Sequence, residues 1–349
     1  MKIPIVYDEK NPKYMLLDAI FKIIDDDETK SILSRYGLKP INSYKKAIKI
    51  RFISLFFDID IKYVVNEINN SPELRKQWNI KSILNYNKIS NLISSLDTIQ
   101  LLEFTIKLIN QRFPKGIRGR RTILVDATSI KMDINLNKKY YSDEELAKKG
   151  FKIGYSKTHG YFIGCKLTLA LDFQTGQPLA MLIHAGAYSD QKIFPEMLEE
   201  LKRRRIMSKK DIIMADKGYV SYKNYELGVM DYKIIPIIFP KDNMKLDKIF
   251  SCCNYPLEVY NGNMKLKKLM EDITSTFKIF LKHWKLFKPI RASIEHFFKL
   301  MKNGAGHSTY HMYTFESVEK TAILNVLLTG LIISEVTFDL KHIQQLSEM

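Results

Sequence analysis

The N-terminal third of the chain has the hydrophobic periodicity of packed helices. Between residues 14 and 113, apolar side chains recur at every third or fourth position, most clearly in residues 47–57, and glycine is nearly absent. We expect the cations of residues 43–51 to lie on a solvated helix surface, as isolated charge runs usually do. Residues 60–68 and 71–75 are compatible with a helix-turn-helix unit. The pattern therefore predicts an all-helical N-terminal domain.

A short basic segment follows these predicted helices. Within residues 112–121, one proline and two glycines interrupt the helical pattern, and five cations occur without an acid. Such a segment can follow a phosphate backbone, so Arg118, Arg120 and Arg121 are candidate nucleic-acid contacts. We place a domain boundary at residue 116 and expect residues 1–116 to fold separately.

Beyond this boundary the periodicity changes to that of strands alternating with helices. The pattern predicts strands at residues 122–128, 161–173, 179–185, 212–216 and 234–238, helices at 190–204 and 222–230, and a charged loop at 138–156. The short turn at residues 172–178 makes the second and third strands an antiparallel hairpin. The predicted fold class is therefore α/β, with a mixed sheet flanked by helices.

Two of the predicted strands lead directly into an aspartate. The apolar run 122–125 is followed by Asp126, and the apolar run 212–215 is followed by Asp216. A single aspartate of this kind more often belongs to a turn or a helix cap. Open α/β sheets, however, place their active sites at the C-terminal edges of their strands. The two aspartates together are therefore a candidate metal-binding pair.

Two further segments are long and less regular. Residues 240–288 are rich in lysine, and we interpret them as an insertion that is either partly helical near residues 272–286 or a solvated loop. Residues 322–336 form the longest apolar stretch, but polar residues interrupt it and it is too short to span a bilayer. We expect it to be a buried helix.

Residues 289–302 have the pattern of one amphipathic helix that begins at a proline. Its predicted buried face is Ile294, Phe297, Phe298 and Met301. Arg291, Glu295 and Lys302 follow one another at steps of four and seven residues, which places them near one side of the helix. Taken alone, this spacing indicates an ordinary surface ion pair of small energetic value.

The composition points to a polyanionic partner. There are 55 Lys and Arg against 38 Asp and Glu, for a formal net charge of +17, which favours nucleic acid. A membrane surface is less favoured, because the sequence lacks a strong basic amphipathic helix. The three cysteines fit neither a disulfide framework nor paired zinc ligands, and no signal peptide is recognisable. We therefore expect a reducing, cytoplasmic compartment.

The predicted strand order resembles that of the ribonuclease H-like fold, in which the first and fourth strands are neighbours. Three motifs also resemble Asp-Asp-Glu transposases of prokaryotic insertion sequences: residues 216–219 (DKGY), residues 187–190 (AYSD), and the Arg-x3-Glu-x6-Lys spacing of Arg291, Glu295 and Lys302. The family signature is Tyr-x2-Arg-x3-Glu-x6-Lys, and Lys288 occupies the tyrosine position here. The resemblance covers residues 122–336, and residues 43–75 are similar to the N-terminal domain that many of these enzymes carry.

This resemblance implies a ribonuclease H-like catalytic core at residues 117–340, preceded by a helical DNA-binding domain at residues 1–116. It also implies that Asp126, Asp216 and Glu295 are catalytic and bind two Mg²⁺ ions, for which Mn²⁺ can substitute. Carboxylates suit such hard cations, and two ions can serve both ends of an in-line displacement. Arg291 and Lys302 would orient phosphates or the glutamate. The implied partner is double-stranded DNA, at element ends and target, with a homodimer assembled on it in the nucleoid.

Three other functions remain open on sequence grounds. A resolvase-like or repair nuclease of the same fold would need the same carboxylates without a domain for element ends. A decayed, non-catalytic DNA-binding protein is the second possibility, and a metal phosphatase for small substrates, which would have little use for the positive charge, is the third. The third carboxylate is also the least secure, because Glu316 and Glu319 lie on the following helix.

Overall fold

The computed structural model describes residues 11–113, 121–132, 142–156, 160–254, 262–304, 309–310 and 314–335. The chain divides into two units. The first unit comprises Met1–Phe113, Lys131–Gly150 and His296–Met349, and the second comprises Pro114–Ile130 and Phe151–Glu295. Most of the basic segment lies outside the described residues, so the domain boundary at residue 116 stays a prediction.

The first seven helices are α1 (Pro12–Asp25), α2 (Asp27–Arg35), α3 (Ile41–Phe57), α4 (Ile61–Asn70), α5 (Pro72–Gln77), α6 (Tyr86–Ser94) and α7 (Thr98–Arg112). The remaining helices are α8 (Asp143–Lys148), α9 (Asp190–Arg203), α10 (Tyr222–Glu226), α11 (Leu246–Cys252), α12 (Met264–Lys282), α13 (Lys288–Lys299) and α14 (Phe315–Glu335). The strands are β1 (Thr122–Met132), β2 (Lys152–Ser156), β3 (Gly160–Asp172), β4 (Pro178–Ala185), β5 (Ile212–Ala215), β6 (Ile235–Ile238) and β7 (Thr309–Tyr310).

Capping side chains explain where many of the N-terminal helices begin. The first backbone N–H groups of a helix have no partner within the helix, and a short polar side chain just before it can accept from them. In α1, α2, α4, α5, α6 and α7 this acceptor is Asn11, Asp26, Asp60, Ser71, Asn85 and Asp97, respectively. Ser71 also ends α4, so it alone joins the two helices of the predicted helix-turn-helix unit.

The apolar helix α14 belongs to the core of the first unit. It packs against α7, α1 and α3, and its side chains from Ala322 to Ile333 are buried. By length and composition it could cross a membrane, but 83% of its apolar window is buried by the protein. The predicted buried helix at residues 322–336 is thus confirmed as far as residue 335, where the description ends.

The prediction that the cations of α3 face solvent was wrong. Lys45, Lys49 and Arg51 are 8%, 2% and 5% exposed. The ammonium of Lys49 donates to Asp25 at 2.6 Å and to the carbonyl of Trp78 at 2.9 Å, and that of Lys45 donates to two carbonyls at the end of α1. Arg51 donates to the Thr321 hydroxyl in α14. These cations hold the first unit together because partners distant in sequence satisfy them.

The second unit contains a mixed sheet with the predicted topology. The strand order is β2-β3-β1-β5-β6, and β4 pairs with β3. β1 and β5 are parallel neighbours, as are β5 and β6, whereas β3 and β4 form the predicted antiparallel hairpin. In the first unit, the end of β1 also pairs with β7. The ribonuclease H-like α/β fold is confirmed, and its first and fourth predicted strands, now β1 and β5, are adjacent.

Two sequence predictions about local structure need correction. Residues 138–156 are not a simple loop, because their described part contains α8, which begins with a capping box at Ser142, and the edge strand β2. The lysine-rich insertion is ordered over most of its length: α11 and α12 lie within it, and α12 begins at Met264, earlier than predicted. The apolar face of α12 consists of Met270, Ile273, Phe277 and Leu281 and is buried. The helix packs against β6, which explains its order.

Candidate active site

The two aspartates of the predicted pair lie side by side in the sheet. The parallel register pairs Val125 with Ala215, so the residues that follow, Asp126 and Asp216, occupy the same level of β1 and β5. β5 ends at Ala215, as expected. β1 continues to Met132, however, so Asp126 lies within its strand rather than at the end. This corrects the predicted strand end but leaves the pairing of the two carboxylates intact.

One guanidinium group connects both aspartates to the third candidate carboxylate. Nη2 of Arg291, in α13, lies 2.5 Å from Oδ2 of Asp126 and 4.0 Å from Oδ2 of Asp216, and Nη1 lies 2.7 Å from Oε1 of Glu295. Oδ2 of Asp126 and Oδ2 of Asp216 are therefore within 6.5 Å of each other, the sum of their distances to Nη2. Three acids that are far apart in sequence thus surround one cation.

Asp126 is the most perturbed acid of this group. Burial raises the pKa of Asp126 from the ordinary value of 3.8 to about 6. Arg291 and the backbone N–H of Ala127 oppose this increase, whereas the charges of Asp216 and Glu295 add to it. Its side chain is 14% exposed, whereas those of Asp216 and Glu295 are 41% and 61% exposed. A buried carboxylate in a cluster of like charges needs a cation to remain ionised near neutral pH.

The chemistry of these side chains suits a divalent cation. Carboxylate oxygens are the preferred ligands of Mg²⁺ and Mn²⁺, and the three acids already surround a positive charge. In the described part of the chain, no three His, Cys, Asp or Glu side chains lie close enough together to hold one metal ion. The chemistry of the three acids therefore fits a divalent cation, but their present spacing does not, because the guanidinium of Arg291 lies between them.

The structure adds three residues that the spacing of acids did not reveal. Asp190, the first residue of α9, pairs with Nζ of Lys166 at 2.7 Å. It also packs so close to the turn after Asp216 that a Cβ on Gly218 would lie 2.7 Å from its Oδ2, which explains the glycine. Tyr219 is 1% exposed, and burial, followed by the charges of Asp126 and Asp190, raises its pKa well above normal. Asp190 and Tyr219 belong to the motifs at residues 187–190 and 216–219, and a lysine within an apolar strand was the available signal for Lys166.

The predicted phosphate-binding residues differ in where they lie and in what they contact. Arg121 pairs with Asp172 at 2.9 Å and is 12% exposed, which does not favour a DNA contact, and that role stays a prediction. Arg118 and Arg120 lie outside the described residues. Lys302 belongs to the first unit, in a π-helical turn at Leu300–Gly304, and burial lowers its pKa. Lys288, at the signature tyrosine position, places its Nζ 5.1 Å from the ring centroid of Trp284.

The alternative third acids lie on α14 in the first unit. Glu316 pairs with Nζ of Lys320 at 2.6 Å. Burial raises the pKa of Glu319 to about 7, and Glu316 adds to the shift. Glu295, by contrast, contacts Arg291 and contributes to the raised pKa of Asp126. These contacts favour Glu295, whose catalytic role stays a prediction.

Comparison with known proteins identifies the family of the chain. A family model described as the transposase DDE domain matches residues 117–331, more than half of the chain. A search of curated proteins returns no match. Among solved structures, the chain is similar to piggyBac transposase in a cryo-EM structure of its synaptic complex with hairpin DNA, with a TM-score of 0.46 and 11% identity, covering 99% of this chain and 80% of that chain. By the family match, the chain belongs to the DDE-domain transposases and is a DNA transposase.

Proposed function

We propose that this transposase cuts and joins DNA at the ends of a prokaryotic insertion sequence, with Asp126, Asp216 and Glu295 as its catalytic metal ligands. The observation that carries the proposal is the arrangement of these three acids around the guanidinium of Arg291. The site is proposed to work in a homodimer assembled on the DNA, in the cytoplasm and associated with the nucleoid.

The proposed ligands would hold two Mg²⁺ ions, or Mn²⁺ in their place. Transposases of this family generally depend on a divalent metal. When bound, such ions stabilise the attacking and leaving oxygens of an in-line displacement at phosphorus. Burial of Asp126 keeps its carboxylate poorly hydrated, so a metal competes little with water for it. Asp216 and Glu295 are more exposed and can adjust to the substrate.

Arg291 has two proposed tasks. Without a metal, its positive charge offsets the mutual repulsion of the three carboxylates and keeps them in one place. With metal and DNA bound, the same guanidinium is free to donate two parallel hydrogen bonds to a phosphate, which its planar geometry suits. Lys302, whose ammonium is partly dehydrated, is proposed to contribute a second positive charge to the phosphates.

The proposed substrate is double-stranded DNA. The net charge of +17 supports binding to a polyanion whatever its sequence. Each phosphate contact should contribute about 0.9 to the slope of log Kd against log salt concentration. Affinity for duplex DNA should therefore fall steeply between low and physiological salt, and an affinity that did not change would contradict the electrostatic argument.

The deciding experiment is cleavage of DNA carrying the inverted repeats that flank the gene, with Mg²⁺ or with chelator. Replacing Asp126, Asp216 or Glu295 by alanine should abolish Mg²⁺-dependent cleavage, while duplex binding is kept or slightly strengthened because a negative charge is lost. Asp242→Ala is the matched control, because this aspartate of the second unit is exposed and lies outside the site. It should cleave like the wild type.

Each remaining alternative gives a different result. A resolvase-like or repair nuclease would cleave without regard to the repeats, and a decayed transposase would bind DNA without cutting it. If the Glu295→Ala protein cleaved well while Glu316→Ala or Glu319→Ala did not, the third ligand would have to be reassigned. Full cleavage by the Asp126→Ala and Asp216→Ala proteins would refute the proposed site altogether.

A further inference from the structure

An exposed aromatic surface lies away from the carboxylates, on the hairpin of β2 and β3. Tyr155 and Tyr161 are directly opposite each other across the two strands, with ring centroids 5.3 Å apart in an edge-to-face arrangement. They are 59% and 81% exposed, and Ile153, on the same face of β2, is 54% exposed. Of the ten large apolar side chains exposed in the described residues, three thus share one hairpin face. Such clustering marks an interaction surface.

Three glycines fix this hairpin to the rest of the sheet. A Cβ on Gly164 would lie 2.0 Å from the carbonyl oxygen of Ile130, and one on Gly154 would lie 2.6 Å from the backbone nitrogen of Ala187. Gly186, with φ +69°, brings its backbone against Lys152. Side chains at these positions would push the strands apart. The tyrosines are therefore held in place relative to β1.

The register gives the distance between the tyrosines and the carboxylates. The backbone N–H of Phe173 donates to the carbonyl of Thr122, and Gly164 lies against Ile130, so β3 runs antiparallel to β1. Thr168 or its neighbour is then level with Asp126. Tyr161 is seven residues further along β3, about 23 Å at ~3.3 Å per residue.

The charge around the hairpin indicates what covers it. From residue 151 to residue 171 the sequence contains three lysines and no aspartate or glutamate, and of these Lys166 is paired with Asp190. Lys152 is exposed, and Lys157 lies outside the described residues. A phosphate backbone can therefore approach the hairpin without meeting a carboxylate from it, while the flat faces of bases suit exposed tyrosine rings.

We propose that the β2–β3 hairpin is a DNA-contacting element that places Tyr155 and Tyr161 against bases away from the bond that is cut. Exposed apolar side chains on rigid elements can wedge between base steps and bend the duplex. This inference rests on the proposed function, since it takes the carboxylates as the point of cleavage. It assigns this second contact to aromatic side chains rather than to lysine and arginine.

The first test is binding of full-length protein to a fluorescein-labelled duplex of random sequence, measured by anisotropy at several salt concentrations. The Tyr155→Ala/Tyr161→Ala variant should bind at least about tenfold more weakly, with an unchanged salt slope, because stacking is lost and no charge is removed. The Tyr155→Phe/Tyr161→Phe variant keeps both rings and should bind like the wild type. Tyr86→Ala removes an exposed tyrosine of the first unit and is the matched control.

The second test locates the contact. 2-Aminopurine, which brightens when it is unstacked, is placed at successive positions along a duplex that the wild type cuts at a mapped site. Fluorescence should rise in one window of positions away from the cut, and the double alanine variant should lose the rise. Wild-type binding and an unchanged window in that variant would overturn the proposal while leaving the cleavage site standing.

Two further outcomes would also overturn it. If the double alanine variant melts earlier and the loss of binding disappears at a temperature where it is fully folded, the tyrosines serve only as a cross-strand pair. If light scattering without DNA shows a dimer that the variant fails to form, the surface belongs to a second copy of the chain. Failure of the proposed function itself would appear differently, as absence of duplex binding or of Mg²⁺-dependent cleavage in the wild type.

Discussion

Replacing Arg291 by glutamine should destabilise the metal-free protein in a pH-dependent way. The arginine is 15% exposed and contacts Asp126, which is 14% exposed. Removing one partner of a buried ion pair commonly costs about 3–5 kcal/mol, because the other charge is left without compensation. Asp126 has a way to avoid this penalty, since its pKa is already about 6 and it can bind a proton.

The pKa of Asp126 sets an upper limit on the stability that the Arg291→Gln variant can lose through this residue. At pH 8, two units above its folded pKa of about 6, ionisation favours the wild-type side chain by about 2.7 kcal/mol, at ~1.36 kcal/mol per unit. In the variant Asp126 can bind a proton instead, so the stability lost through this residue cannot exceed about 2.7 kcal/mol at pH 8. At pH 6.5 the same limit is only about 0.7 kcal/mol. The difference in stability between the two proteins should therefore grow with pH.

The direction follows from proton binding in the folded and unfolded chains. The folded pKa of Asp126 lies above its ordinary value of 3.8, so the wild type loses stability as pH rises from about 4 to about 6 and then levels off. Without Arg291 the pKa of Asp126 in the folded protein is higher still, so the variant continues to lose stability above pH 6. Added Mn²⁺ should restore the variant more than the wild type, since a divalent ion replaces the missing positive charge.

The difference in stability is measured by hydrogen exchange of peptides from β1 and β5, in chelator at pH 6.5 and pH 8 and corrected for intrinsic rates. These peptides report the local stability around the site, even if the two units open independently. Arg203→Gln is the matched control, because this arginine is 55% exposed and pairs with Glu200 on the surface of α9. Its effect should stay small at both pH values. A loss in the Arg291 variant that is equal at both pH values, or no larger than in the control, would refute the reasoning.

Three further predictions concern the fold. Gly164→Ala should destabilise the second unit by about 1–3 kcal/mol in urea unfolding, because its Cβ would meet the carbonyl of Ile130 at 2.0 Å. Phe277→Ala should cost about 3–5 kcal/mol, since this ring on α12 is 0% exposed. The fragment 1–116 should show weak, uncooperative melting by circular dichroism, because it lacks α14, against which α1, α3 and α7 pack.

Each of these has a contrasting outcome. A Cβ added at Gly160 would meet no atom within 4 Å, so Gly160→Ala should destabilise the protein by only about 1 kcal/mol, because of the positive φ at this position. Ile279→Ala, at a position on α12 that is 58% exposed, should be nearly neutral. Equal effects of Phe277→Ala and Ile279→Ala would mean that α12 is a solvated segment after all. Sharp melting of the fragment 1–116 would restore the original expectation that it folds alone.

The sheet was predictable because its strands are short apolar runs with clear ends. β5 and β6 read as buried parallel strands, and the turn at residues 172–178 made the β3–β4 hairpin evident. β2 was missed because Ile153 and Tyr155 are exposed, so the strand lacks the alternation of a half-buried edge. In α12 the apolar side chains recur every three or four residues, which confirms the helical alternative, but the lysines between them kept a solvated loop equally open.

Charged residues were the hardest to place from sequence, because their partners are distant along the chain. The spacing of Arg291 and Glu295 predicted an ion pair, and the pair exists at 2.7 Å. Nothing in that spacing indicated that the same guanidinium also contacts Asp126, 165 residues away. Lys49 and Arg51 were misplaced for the same reason, since Asp25 and Thr321 are the groups that make their burial possible.

The position of α14 changes how the two halves of the chain can be understood. Sequence reasoning assigned this helix to the catalytic half because it follows the Arg-x3-Glu-x6-Lys motif, yet it packs with α1, α3 and α7 in the first unit. The boundary between the units falls between Glu295 and His296, within α13, the helix that carries Arg291 and Glu295. The helix that completes the proposed site is therefore covalently continuous with the unit that contains the N-terminal helices.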